Sequence, residues 1–145
     1  MKIIYYCYTG RLLSMLAGYY HLEQLDEINQ MCAGKGWMNS SWTEEIGPIF
    51  LGEDSQENQI YSLGVAFEEK LITKALEQLW QSCGIDKGNY QLVSVIPDDS
   101  QVKLSAYFQG LPIGGYLRRT LYQWTLKGQL EFVKTRVHQV KRTFA

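Results

Sequence analysis

Net charge is almost missing from this chain: 14 Lys and Arg against 15 Asp and Glu leave −1 at pH 7. So even a balance removes any global electrostatic case for nucleic acid or an anionic membrane surface. Histidine is scarce, with only His21 and His138 far apart. Cysteine is odd in number, and Cys7, Cys32 and Cys83 show no C-x-x-C spacing. That supply gives a zinc site weak support and no disulfide pattern, and no metal or cofactor is expected. No apolar run approaches the ~20 residues that span a bilayer. Gly10-Arg11 interrupts the first apolar run too early for a secretory signal. Together these absences predict a cytoplasmic protein with reduced thiols and no membrane contact.

What is present fits an ordered domain. The 145 residues are 46% hydrophobic and 13% aromatic, with 10 tyrosines and 4 tryptophans. That is enough for a single domain over residues 1–145 with its own core. The charges are unevenly spread: Arg118, Arg119, Lys127, Lys134, Arg136, Lys141 and Arg142 face Glu131 alone in the last stretch. A solvated basic helix face is the plainer reading; a patch for an acidic partner or nucleic acid is the sharper one, with nucleic acid the less expected of the two and a protein partner or homo-oligomer compatible with it.

The chain is organised around residues 2–20. Lys2 to Tyr8 is apolar, aromatic and β-branched, the composition of a buried strand. Thr9-Gly10 breaks it, and Leu12, Leu13, Leu16 and Tyr20 follow at helical spacing. A strand, a tight turn and a helix is how α/β folds build anion sites, because the first helical amides lack intrahelical partners and the dipole there favours negative charge.

Further along, Leu22, Leu25, Ile28 and Met31-Cys32 form a helical stripe that ends at Ala33-Gly34-Lys35-Gly36, and residues 37–46 read as loop. Two apolar runs, 48–51 and 59–65, flank a polar turn and predict a strand pair. Phe67, Leu71, Ile72, Ala75, Leu76, Leu79 and Trp80 predict a helix over 67–83 with these residues on one face. Residues 90–96 read as a strand ended by Pro97-Asp98-Asp99-Ser100, and 102–108 as a helix or irregular segment. A helix is expected over 114–121, a short strand over 122–126, a turn at Lys127-Gly128, and a last helix over 129–142. Strands alternating with helices give an α/β class: a mostly parallel sheet with helices on both faces, in three layers. Ligands gather at the C-terminal ends of such strands, where Cys7–Gly10, Pro97–Ser100 and Lys127-Gly128 would converge.

MKIIYYCYTG at the start, GEDSQENQIYSLGVAFEEKLITKAL in the middle, and GGYLRR with LKGQLEFVKTRVHQVKR near the end resemble domain of unknown function family 3189, found mostly in spore-forming Gram-positive bacteria. The resemblance implies a small cytosolic α/β protein and brings no activity with it. In that family Cys-Tyr-Gly-Gly is followed by a His- and Ser-containing turn. Here the stretch is Cys7-Tyr8-Thr9-Gly10-Arg11-Leu12-Leu13-Ser14, with leucines where polar groups would stand.

The same stretch looks like the phosphocysteine loop of sugar phosphotransferase IIB components, which also follows a first strand. A helix head lowers a thiol's pKa and the same amides hold a phosphoryl group. It resembles low-molecular-weight tyrosine phosphatases more distantly. Those need an arginine six residues after the cysteine for bidentate phosphate binding, and that place is Leu13, so phosphatase activity is rejected.

Cys7 and Asp98 are thus the candidate catalytic residues, with Asp99 as a possible orienter, and Thr9, Gly10, Arg11 and Ser14 the candidate anion ligands. Against this stands the plainer view of Cys7 as a small buried apolar residue and of Pro-Asp-Asp-Ser as turn and cap chemistry. Gly110, Gly114 and Gly115 before Arg118-Arg119 match neither the P-loop nor the dinucleotide fingerprint. His21 reads as a cation at a helix C-terminus and His138 as surface. The expectation is an anion- or small-ligand-binding, regulatory protein. The alternatives are group transfer through a Cys7 thiolate and an interaction module on the basic last helix.

Overall fold

The computed structural model describes residues 1–8, 12–33, 47–65, 69–96 and 115–144. Their order is β1 (Lys2–Tyr8), α1 (Leu12–His21), α2 (Leu25–Cys32), β2 (Ile49–Glu53), β3 (Gln59–Val65), α3 (Glu69–Ser82), β4 (Tyr90–Ser94) and α4 (Gly115–Phe144). A four-stranded sheet runs β2-β3-β1-β4. β1 pairs in parallel with β3 (Lys2↔Gln59 to Tyr8↔Val65) and with β4 (Lys2↔Tyr90 to Tyr6↔Ser94). β2 pairs antiparallel with β3, with a register shift between Phe50 and Gly52. The expected α/β class with a mostly parallel sheet and a strand pair near 48–65 holds.

β1 sits in the middle because both its faces are apolar. Ile3, Tyr5 and Cys7 point to one side, packed with α1 and with Val133, Val137 and Val140 of α4. Ile4 points to the other, with Leu63, Val65 and the inner side chains Ile72, Leu76 and Trp80 of α3. This period-two alternation is what a strand covered on both faces requires. The β1–β3 and β3–β4 crossovers run in opposite directions across the sheet and carry α1 and α3 on opposite faces. That gives both crossovers the same hand.

α1 is buried along nearly its whole length, Leu12 through Gly18, because it lies between the sheet and α4. A helix apolar on all sides can sit only there. Its end is a Schellman motif, with Gln24 N–H donating to Tyr19 O (3.0 Å) and Glu23 N–H to Tyr20 O (3.3 Å). Glu23 takes the left-handed position at φ 59° that glycine usually fills.

Two expectations are corrected. Residues 122–126 are not a strand and Lys127-Gly128 is not a turn, for both lie inside α4, a helix of 30 residues and roughly 45 Å. Leu126, Val133, Val137 and Val140 continue one buried helical stripe straight through Gly128. That packing outweighs the strand preference of Tyr-Gln-Trp-Thr-Leu and the ~1 kcal/mol helix penalty of one glycine. Nor do the α3 apolar residues share one buried face: Ile72, Leu76 and Trp80 turn inward, while Leu71 and Leu79 are 64% and 57% exposed. Residues 37–46, 97–100 and 102–108 lie outside the described residues. No described helix is long and apolar enough to cross a membrane.

Candidate functional site

The C-terminal edge of β1 brings Cys7 to the head of α1. Cys7 stands opposite Gly64 in the β1–β3 register. The chain leaves β1 toward α1 on one face and leaves β3 toward α3 on the other, so these two strand ends flank a switch point of the sheet. Ser14, in the first turn of α1, donates its backbone N–H to Cys7 Sγ (3.4 Å), and the thiol is 3.4 Å from Ser14 Oγ. Ser14 Oγ shares a 2.8 Å hydrogen bond with Ser62 Oγ on β3. Cys7 is 4% exposed, and Ser14 and Ser62 are fully buried.

Two of the sequence-predicted site residues, Cys7 and Ser14, are therefore brought together. Thr9, Gly10, Arg11, Asp98 and Asp99 lie outside the described residues. Lys127 and Gly128 sit inside α4 and form no turn at this edge. Ser62 was not anticipated: a serine inside a β-branched strand carries no sequence mark of a buried hydroxyl partner.

A second cluster occupies the opposite, N-terminal edge of the sheet. His21, at the end of α1, is 3% exposed and was expected merely to complement the helix dipole. It lies instead between Tyr5 OH, 2.7 Å from Nδ1, and Asp54 Oδ2, 3.1 Å from Nε2. An ionised carboxylate only accepts, so Nε2 carries the proton and Nδ1 accepts from the Tyr5 hydroxyl. Hydrogens thus run one way, Tyr5 to His21 to Asp54. Burial lowers the His21 pKa, against the opposing hydrogen bond to Asp54. Burial, with the Asp54 charge behind it, raises that of Tyr5.

Asp54 organises the turn between β2 and β3. Its Oδ1 accepts the backbone N–H of Gln56 (2.9 Å) and of Asn58 (2.9 Å), and its Oδ2 accepts Asn58 Nδ2 (3.0 Å) as well as His21. Burial disfavours the carboxylate, but these bonds outweigh it and hold the pKa at about 2. The network borders a pocket of about 370 Å³ whose walls include Ile3, Leu22, Glu53 and Gln56. Across its mouth Lys141 Nζ pairs with Glu23 Oε1 at 2.8 Å. Among the described residues no group of three or more His, Cys, Asp or Glu is arranged to hold a metal ion.

A parallel β1–β3–β4 core with an antiparallel edge strand and helices on both faces define an α/β protein. Residues 2–142 match the family described as protein of unknown function DUF3189. The chain belongs to that family. No curated protein and no solved structure matches it.

Proposed function

We propose that the segment around residues 7–14, from the end of β1 to the head of α1, binds a phosphate-like anion or small anionic ligand, and that the protein acts by binding. One observation carries this reading: the head of α1, where a helix leaves its first amides without intrahelical partners, stands beside the C-terminal end of β1 at the switch point of the sheet, with the Ser14 amide itself taken by Cys7 Sγ. Thr9, Gly10 and Arg11 complete the proposed site by their place in the sequence, between Tyr8 and Leu12. Cys7 and Ser14 form its floor. A sulfur 4% exposed and held by Ser14 favours a positioning part for Cys7 over a nucleophilic one.

The rival is group transfer through a Cys7 thiolate, and the same Ser14 amide supports it, since an N–H donated to sulfur stabilises the anion. One experiment separates the two. In a chain with Cys32 and Cys83 replaced by serine, amide shifts at residues 9–14 are followed as inorganic phosphate is added, and Cys7 is alkylated with iodoacetamide. Binding requires saturable shifts confined to 9–14 and slow alkylation near neutral pH. Fast alkylation slowed by phosphate selects the enzyme. If phosphate moves nothing at 9–14 and the thiol is inert, both readings fail.

A further inference from the structure

We propose that His21 is the latch of an acid-sensitive joint between α1 and the sheet: a proton taken up at Nδ1 breaks the bond to Tyr5 and lets the ring swing into the pocket at the N-terminal edge, while Asp54 and its turn stay in place. This site is at the opposite edge of the sheet from residues 7–14 and does not depend on what binds there.

The argument rests on the direction of the hydrogens. In the neutral chain Tyr5 donates to Nδ1 and Nε2–H donates to Asp54, so all three groups are satisfied. Protonated, the ring has a donor at each nitrogen. The phenol must then turn to accept, and its own hydrogen loses its acceptor, His21 Nδ1, in a fully buried place. A buried donor left over is costly. The other bond changes the opposite way: an imidazolium beside Asp54 is a stronger pair than a neutral imidazole. Acid therefore cuts the joint at Tyr5 and tightens it at Asp54.

The charged groups around His21 allow this outcome. From β1 comes Tyr5, from the β2–β3 turn Asp54, from the end of α1 Glu23, and from α4 Lys141. Lys141 opposes a proton on the ring but is itself tied to Glu23. The pocket that would receive the ring adds Glu53 to Glu23 and Asp54 in its walls, and its floor holds Ile3 and Leu22. Burial, the largest influence on the ring, delays the event to below the ordinary histidine range. The acid form has an altered pocket and a loosened end of α1.

The test is residue-resolved amide exchange on the full chain between about pH 7.5 and pH 4.5, corrected for intrinsic pH dependence, with His21 titrated by its ring resonances. Expected is a rise of about tenfold or more in exchange at Leu22, Glu23 and Gln24, which close the end of α1, in step with the His21 titration. Gln56 and Asn58, whose amides rest on Asp54, keep their protection. His21→Gln removes the step. Lys141→Gln, at a part-exposed position, moves it to higher pH and keeps the test open if His21→Gln does not fold. A His21 titration without any change at Leu22–Gln24 overturns the proposal. So does a step that survives His21→Gln or ignores Lys141→Gln, or one in which the whole chain loses protection together.

Discussion

Asp54→Asn isolates the turn that the N-terminal edge depends on. The carboxylate accepts four hydrogen bonds, two at each oxygen. An amide keeps the pair at Oδ1, from Gln56 and Asn58, but replaces Oδ2 with a donor. That donor meets the Asn58 side-chain amide and the His21 Nε2–H. The histidine can move its proton to Nδ1 only at the cost of leaving the Tyr5 hydrogen without its acceptor, and Asn58 adapts only by flipping its own amide. The scale of the loss follows from the ionisation: the folded pKa is about 2 against an ordinary 3.8. At about 1.4 kcal/mol per unit that difference is worth at most ~2.5 kcal/mol. With the side chain 10% exposed at the rim of an open pocket, screening brings the expected value to about 1–2 kcal/mol.

Because the folded value lies below the unfolded one, this contribution is complete above about pH 4 and disappears as pH falls through about 2. Urea unfolding followed by far-UV dichroism should therefore show Asp54→Asn less stable by about 1–2 kcal/mol at neutral pH, with an unchanged slope on urea. Between about pH 4 and pH 2 the two proteins should converge. Equal stability at neutral pH, or a gap that stays constant into acid, would refute the account of Asp54 as the hub of the turn.

Leu16, fully buried between the sheet and α4, should cost about 3 kcal/mol or more as alanine, read from the same urea curves. Gly18→Ala should gain less than the ~1 kcal/mol expected of the better helix former, since the new Cβ makes Leu51 Cδ1, the end of a half-buried side chain, turn aside; a larger gain when Gly18→Ala is added to Leu51→Ala than to the natural chain would confirm the cause. Ser62→Ala should cost about 1–2 kcal/mol by stripping Ser14 Oγ of its 2.8 Å partner, and a double-mutant cycle with Ser14→Ala should return a coupling of about 0.5–1.5 kcal/mol.

The strands and most helices could be placed from sequence because each has one dominant signal. β1 and β3 are apolar on both faces, and α1 is a leucine-rich run without a polar side. The error over 122–128 has the opposite origin. Locally, Tyr-Gln-Trp-Thr-Leu-Lys-Gly reads as strand and turn, and only the buried stripe from Leu126 to Val140 shows that one helix passes through it. Local preference worth a few tenths of a kcal/mol per residue yields to that packing. The split face of α3 is a related case, since spacing identifies an amphipathic helix but not how wide a stripe the sheet can cover.

The polar contacts were legible only where they are local. Cys7 and Ser14 are seven residues apart in the chain, at the end of β1 and in the first turn of α1, and the helix-head argument joins them directly. Tyr5, His21 and Asp54 come from three elements, and none is unusual where it stands: an aromatic in a strand, a histidine at a helix end, an aspartate in a turn. What joins them is the register between α1 and β1. Ser14 and His21 are seven residues, or about two turns and ~10.5 Å, apart on α1, and they meet Cys7 and Tyr5, two residues and ~6.6 Å apart on the same face of β1. The length of the tyrosine side chain makes up the difference. Both contacts hold only for one placement of the helix, because a slip of one residue would turn Ser14 and His21 through about 100° and carry both away from the strand. α1 is thus fixed to β1 at its head by a thiol and at its tail by a phenol. A change in either contact acts on the same buried helix.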